Sequence, residues 1–386
     1  MLENSLMDFN GPRTPYEFEW DAVTELGRSV FFKDSPSYLV GARTWPMGLR
    51  AEARENAFAM FHEGHPVSVI GRLERDMLIH GHILRIGYIG GVCTHPDYRK
   101  LGLASTVLAA TMKRFHENNV DFVCISGNRK MYRDAGSRFI GGVNRFILRK
   151  GFSVDGMFTL REATAEDFRT LARINQSESL RFIRPLSDYE VVINYGHCVG
   201  RPVRFIIAYI GSVPAAYILI TDLLKHDERS FRRVMEYAGD RQAILSALSM
   251  IINEATENEI EIDIQSGDIM EELIRSRGVC GLPATRPGTF CVIDIARTMN
   301  KLKPLFASYF PIDLVNSIES ASGRGRYAIW CDGGSIEIED ETNLVWMALG
   351  TPPGETIGKI RVTGTMNDFA DICLPIPLPP LELNMI

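Results

Sequence analysis

The chemistry of this chain is concentrated in Ile89–Ala104, IGGVCTHPDYRKLGLA. A strand ending near Val92–Thr94 runs into a turn carrying Arg99, Lys100 and Gly102, and a helix opens at Leu103. Glycine lets the backbone turn tightly and approach a ligand closely. The first amides of a helix have no intrahelical partners and sit at its positive dipole end. Such a turn suits a phosphate or pyrophosphate, and Arg99 and Lys100 add two positive charges. Two rival cradles are missing: there is no GxxxxGK[ST], and no GxGxxG follows a strand here. Cys93 has the type of an acyl-accepting nucleophile, but no particular histidine is placed to activate it. It reads as strand packing. His80 and His82 flank Gly81 in a turn with no third ligand in sight, so they read as solvent-exposed side chains rather than a metal pair.

The elements that must position this turn are legible from spacing. Asn56–Glu63, Pro66–Ile79 and Ile83–Thr94 are apolar-rich runs divided by Gly64-His65 and His80-Gly81-His82, which predicts an antiparallel meander. Glu17–Arg28 is the best early helix. Leu103, Ala104, Val107, Leu108, Met112 and Phe115 recur at helical spacing, and Val120–Ser126 reads as a strand buried on both faces. From Met157 the same order returns with different residues. Phe158–Arg161 is a strand, Thr164–Asp167 a helix start, and Val203–Ile210 with Val213–Thr221 a hairpin around Gly211-Ser212. Arg241–Glu257 is a helix, Ile260–Gln265 a strand, Asp268–Arg277 a helix and Gly288–Ile295 a strand; internal duplication is the economical explanation. A third unit begins near Asn300, with Pro304–Ser320 helical and Gly325–Cys331, Gly334–Glu339 and Leu344–Ala348 as short strands. The run Leu374–Pro380 forms neither helix nor central strand, so it should run extended and dock the apolar ending Leu381, Leu383, Met385, Ile386.

Val92–Ala104 resembles the acyl-CoA-binding signature of the GNAT superfamily of N-acetyltransferases. The core [QR]-x-x-G-x-[GA] is filled by Arg99, Gly102 and Ala104. The resemblance implies that backbone groups of Val92, Cys93 and Thr94 pair with the pantetheine arm of acetyl-CoA. It also implies that Arg99, Lys100, Leu101, Gly102, Leu103, Ala104 and Ser105 hold the pyrophosphate, and it adds Asn128 to the cofactor set. In Ser126–Phe139, SGNRKMYRDAGSRF, it places Tyr132 as the acid that protonates the departing thiolate, with Gly136 and Phe139 completing the pattern two residues more widely spaced than usual. A thiol near ~8.5 and a tyrosine near ~10 make that transfer uphill by about 2 kcal/mol, which a general acid tolerates. The second unit lacks the signature: MEYAGDRQAILSA places Asp240-Arg241-Gln242 where the glycine-bearing turn would be, which implies a silent copy.

The tripartite layout resembles the enhanced intracellular survival (Eis) family. This implies an α/β (α+β) chain of two tandem GNAT-like mixed-sheet domains, at 1–155 and, degenerate, at 156–298, with a small sterol-carrier-protein-like α+β domain at 299–386. It also implies that the C-terminal carboxylate of Ile386 is the base. Such a carboxylate, near ~3.5, serves only if burial raises it. Family tails often end in an aromatic residue, and Ile386 departs from that.

Composition sets the outer bounds. There are 42 Lys and Arg against 48 Asp and Glu, a net charge of -6, which disfavours general nucleic-acid binding and is compatible with a cationic substrate. No apolar run reaches transmembrane length, and the N-terminus lacks the pattern of a signal peptide. Seven cysteines without CxxC spacing read as reduced thiols of a cytoplasmic protein with no metal. The expectation is an acetyl-CoA-dependent N-acetyltransferase acting on a primary amine (a polyamine, an aminoglycoside-like compound or a lysine), without nucleic-acid or membrane partners and self-associating. The competing readings are a non-catalytic CoA-binding regulator and a lipid carrier built on the last unit.

Overall fold

The computed structural model describes residues 8–33, 41, 44–227, 229–254, 259–323 and 325–385. The first part of the chain runs β1 (Phe9–Arg13), α1 (Trp20–Phe31), α2 (Pro46–Leu49), β2 (Ala57–His62), β3 (His65–Ile79), β4 (His82–Thr94), α3 (Leu103–Glu117), β5 (Phe122–Ile125), α4 (Lys130–Asp134) and β6 (Val143–Arg149). Then follow β7 (Phe158–Glu162), α5 (Phe168–Gln176), β8 (Leu180–Ile183), α6 (Leu186–Tyr195), β9 (His197–Cys198), β10 (Arg201–Ile210), β11 (Val213–Thr221), β12 (Leu224–His226), β13 (Arg229–Gly239), α7 (Arg241–Glu254), β14 (Glu259–Gln265), α8 (Ile269–Arg275), β15 (Leu282–Ala284) and β16 (Thr289–Val292). The last part is α9 (Ile295–Phe306), α10 (Ile312–Asn316), β17 (Glu319–Gly323), β18 (Arg326–Cys331), β19 (Gly334–Glu339), α11 (Glu341–Leu349), β20 (Ile360–Val362) and α12 (Met366–Cys373).

Three sheets organise these elements. The first has the order β1-β2-β3-β4-β5-β16, the second β15-β6-β14-β13-β11-β10-β7, and the third β17-β18-β19-β20. The order of elements in the first sheet recurs in the second, and in each one neighbouring pair is parallel: β4 with β5, and β13 with β14. The meander, the α3 helix and the β5 strand lie where sequence spacing places them. Alternation along β2 explains why it is buried throughout. Ala57, Ala59 and Phe61 face α1 with Trp20, Val23 and Leu26, while Phe58 and Met60 face α3 with Val107 and Phe115. Both faces are covered, so the strand reads as continuous apolar sequence.

The sheets do not respect the boundary at 155/156. Strand β6 pairs with β14 in the second sheet, and β16, some 140 residues later, pairs with β5 in the first. Each unit thus donates a strand to its partner. Periodicity identifies such segments as strands but is silent on which sheet edge they join. The far half of β3 also pairs with β8, Asp76↔Ile183 through Ile79↔Leu180. The third unit packs beside α1 on the same face of the first sheet, where Tyr88, Phe122 and Phe290 share one core with Phe306, Ile336 and Phe369.

Two expected elements differ. Leu344–Ala348 is not a strand but part of helix α11: the Asp340 carboxylate accepts from the Asn343 amide at 3.0 Å and starts the helix. A short apolar run fits a buried helix as well as a strand. Pro304–Ser320 breaks into the end of α9, the short α10 and β17. The tail is docked as expected. Ile376 donates its amide to Ala348 O at 2.8 Å, the buried Arg286 donates to Leu378 O at 2.8 Å and Pro379 O at 3.3 Å, and Leu381 and Leu383 are fully buried. Glu382 travels with them, its carboxyl pushed up by burial beside Arg233 at 3.5 Å. Among the described residues no helix is long and apolar enough to cross a membrane. Because Leu383 fills the core between α5, α6 and β10, Leu383→Ala is expected to lower unfolding stability by about 2–5 kcal/mol in a denaturant titration; a loss under about 1 kcal/mol contradicts tail docking.

Candidate active site

The site grows from the fork between β4 and β5. Their parallel pairing runs from Ile86↔Phe122 to Ile89↔Ile125, and the last rung beyond it is the Ser126 amide on Ile89 O at 2.9 Å. Strand β4 continues to Thr94 while β5 stops. On its other edge β4 stays bonded to β3, but with an extra residue: Gly71 faces Gly90 and Val69 faces Cys93, and Gly91 takes φ 57 in the bulge. A bulge bends its strand, and here it accompanies the departure of β4 from β5. Backbone groups of the Gly90–Thr94 stretch therefore face a gap rather than a neighbour.

The gap leads to the turn. Ser68 Oγ bonds Cys93 O at 3.3 Å and Thr94 Oγ1 at 2.9 Å, and Arg99 Nε donates to Thr94 O at 3.3 Å. Tyr98 is held by His62 Nδ1 at 3.0 Å, with Phe9 and His95 rings against it. Lys100 and Gly102 both adopt positive φ, 67 and 79. At Gly102 a β-carbon would meet no atom within 4 Å, so glycine serves the conformation there and leaves the approach open. No side chain caps α3, and its first turn carries no acidic residue. Leu103 is buried, whereas Leu101 and Ser105 are exposed beside Ala104. The turn has the form and polarity of an anion cradle.

A cavity of ≈ 620 Å³ opens from the fork. Gly90–Cys93 and Ser126–Arg129 line it at the fork, Tyr132 and Phe139 beside them. One face of α1 (Trp20, Val23, Gly27, Phe31) roofs the rest, with Trp45 and Leu49 from α2 and its entry. Val199 from the second unit and Met385 from the tail close the far end. Val199 sits at φ 51, a conformation that strains a β-branched residue, and the next residue, Gly200, packs on the Trp45 ring.

Tyr132 is 4% exposed, and burial raises its pKa above the ordinary tyrosine value, an effect the Arg129 charge partly offsets. A phenol so placed stays protonated at neutral pH, as an acid must. Its loop is pinned by a buried relay: Ser137 Oγ donates to Thr289 Oγ1 at 2.5 Å, and Thr289 Oγ1 donates to Gly127 O at 2.7 Å. Thr289 lies on the exchanged strand β16, so the second unit helps to fix the first unit's site. Gly136, at φ 85, abuts the Glu341 carboxylate of α11. Asn128 lines the cavity, and its backbone oxygen accepts from Arg133 at 2.5 Å. Cys93 is 3% exposed and burial pushes its thiol up to about 12, which is unfit for a nucleophile at neutral pH.

Trp45 lines the cavity, while Phe58, Met60, Phe61 and Met47 are core residues. His80 sits exposed in the hairpin turn, whereas His82, expected to be exposed too, is half-buried at the start of β4. Ile386 lies outside the described residues. Sequence reasoning missed Arg129, the α1 face and Val199; Arg129 adjoins Asn128 in the segment already singled out, while which face of α1 turns inward depends on tertiary packing.

The second fork carries paired charges. Past Val234↔Ile262, the buried pair Arg184–Glu236 at 2.5 Å lines it, with the Tyr217 hydroxyl on Glu236 at 2.7 Å, beside a space of ≈ 420 Å³. At α7 the Asp240 carboxylate accepts from the Ala243 amide at 2.8 Å, Glu178 accepts from the Gly239 amide at 2.6 Å, and Arg241 bridges Glu178 and Asp268. Carboxylates occupy the place an anionic ligand would need.

Residues 12–139 match the family described as acetyltransferase (GNAT) domain. Solved structures share the fold along most of the chain. A GCN5-related N-acetyltransferase from Kribbella flavida is 14% identical, with 98% of each chain covered and a TM-score of 0.64. Another from Anabaena variabilis is 12% identical over 92% of this chain and 85% of its own, at 0.57. Eis1 from Mycobacterium abscessus is 12% identical over 76% and 75%, at 0.54. No curated protein matches the sequence. The first unit is a GNAT acetyltransferase domain, and the protein is an acetyltransferase.

Alkylation tests the assignment of Cys93. After brief iodoacetamide treatment at a pH of about 8, mass spectrometry is expected to find the exposed Cys280 modified and Cys93 intact; rapid modification of Cys93 contradicts its burial.

Proposed function

We propose that the protein moves an acetyl group from acetyl-CoA directly to a primary amine within a ternary complex. The observation that carries this reading is the contrast between the two forks. One has an uncapped helix N-terminus, a free strand edge and a phenol at its cavity; the other is lined by paired charges, with carboxylates at its helix start. In this scheme amides of Arg99–Ser105 hold the pyrophosphate, and Val92–Thr94 pair with the pantetheine arm, one amide polarising the thioester carbonyl. Asn128 takes part in binding the same arm. The amine nitrogen attacks the carbonyl carbon, the new N–C bond forms, the C–S bond breaks, and the leaving thiolate takes the Tyr132 proton.

The base in this reading is the carboxylate of Ile386. The burial of Met385 in the cavity wall supports a tail that reaches the site. We also read the whole chain as an Eis-like arrangement whose last unit positions the tail. A packed interior supports this over lipid carriage: Phe306 and Phe369 are buried, their ring centroids 4.8 Å apart.

Tyr132→Phe is expected to lower kcat about 10- to 100-fold with KM for acetyl-CoA nearly unchanged, since it removes a proton needed only as the thiolate leaves. The raised pKa fixes the sign of the pH effect: wild-type kcat should hold between about pH 7 and about 9.5 and fall only above about 10. An alkaline limb centred below about pH 9 contradicts the acid role. Gly102→Val forces a branched side chain into positive φ, so KM for acetyl-CoA should rise about tenfold or more while kcat changes less. An unchanged KM contradicts the cradle.

A further inference from the structure

We infer that the acceptor amine has an aromatic-sized apolar body and carries a carboxylate, as a large hydrophobic amino acid does, rather than being a polycation. This inference rests on the acetyltransferase reading above and narrows its substrate.

The cavity wall beyond the fork consists of rings and aliphatic chains: Trp20, Phe31, Trp45, Val199 and Met385, with Gly27 opening the middle of the α1 face. Among the described residues lining it, none is a carboxylate and Arg129 is the one formally charged side chain. A polyamine or an aminoglycoside brings several ammonium groups, and each loses water on entry. The single carboxylate of Ile386 in the reading above cannot receive several of them, so most of that loss is uncompensated. The acidic residues of α1, Asp21 and Glu25, are exposed and absent from the lining, Glu25 being paired with Arg28.

Arg129 is the counterpart observation. Its guanidinium has no hydrogen-bond or ion-pair partner among the described residues. It lines the cavity together with Cys93, Ser126–Asn128 and Tyr132, at the fork rather than at the 99–105 turn. Arg129 is exposed at the edge of this apolar wall, and its planar guanidinium matches a carboxylate, two donors to two oxygens. It is a poor neighbour for a second cation and equally for a hydrocarbon acyl chain, so the cavity is an acceptor site rather than a slot for a long acyl group. The same surroundings assist the chemistry. An apolar wall and a nearby cation both disfavour an ammonium ion, so the neutral, nucleophilic amine becomes populated.

Gly27 supplies an independent handle. It lies inside α1, and a β-carbon placed there would meet no atom within 4 Å, so a larger side chain fills open cavity rather than core. Replacing glycine within a helix also favours folding.

The test is thiol release from acetyl-CoA by the full-length protein with L-phenylalanine, L-tryptophan, phenethylamine, spermidine and kanamycin, with acetyl-CoA binding measured in parallel by calorimetry. The expected result is kcat/KM for the two amino acids at least about tenfold above that for spermidine or kanamycin. Arg129→Gln should raise KM for phenylalanine at least about tenfold while leaving phenethylamine within about twofold. Gly27→Leu should cut kcat/KM for tryptophan at least about tenfold with acetyl-CoA affinity retained. Preference for spermidine or kanamycin overturns the inference and leaves the acetyltransferase reading standing. So does an equal effect of Arg129→Gln on phenylalanine and phenethylamine. Preference for decanoyl-CoA over acetyl-CoA makes the cavity an acyl site and overturns it likewise. Absence of acetyl-CoA binding overturns both.

Discussion

The structure depends on one missing set of hydrogen bonds. Two parallel strands stop pairing at Ile89 and Ile125, and β4 goes on to Thr94 with one edge unsatisfied. Buried backbone groups without partners are costly, so a folded protein supplies partners or keeps them for a ligand. The turn at Gly102 extends the same condition to the first amides of α3. Everything else near the site holds this opening in shape: the bulge at Gly91, the Ser68 bonds to Cys93 and Thr94, and the aromatic seat of Tyr98.

The second unit shows the alternative solution to the same problem. Its fork has the same topology, but Glu236 and Arg184 pair in the gap, and Asp240 and Glu178 accept from the Ala243 and Gly239 amides at the helix start. The unit contributes β16 with Thr289 to the relay behind Tyr132, and Val199 to the cavity wall. The third unit braces the loop at Gly136 and anchors the tail that delivers Met385. The cavity is thus lined by three parts of the chain.

What is legible in the sequence follows from which forces are local. The meander, α3 and the glycine turn are set by alternation, helical spacing and positive-φ residues, all visible within a few positions. Asp240 in place of the glycine-bearing turn likewise announces the charged second fork. The exchange of β6 and β16 is not legible, because strand alternation carries no information about the edge it will join. Leu344–Ala348 departs from the expected strand because a short apolar run satisfies either period, and the Asp340 cap with burial between sheets decides for helix. The apolar character of the cavity's far wall is hidden for a further reason. Its walls come from Trp20, Val199 and Met385, residues brought together only by packing, so the overall negative charge points to a cationic substrate that the local lining does not favour.

The central claim is that only the first fork holds the nucleotide, through main-chain amides. A crystal structure with coenzyme A tests it most directly. The account predicts the diphosphate within about 3 Å of amides between Arg99 and Ser105, with the pantetheine arm lying along Val92–Thr94. Diphosphate density at α7 or elsewhere on the surface, and none at the first turn, would contradict it.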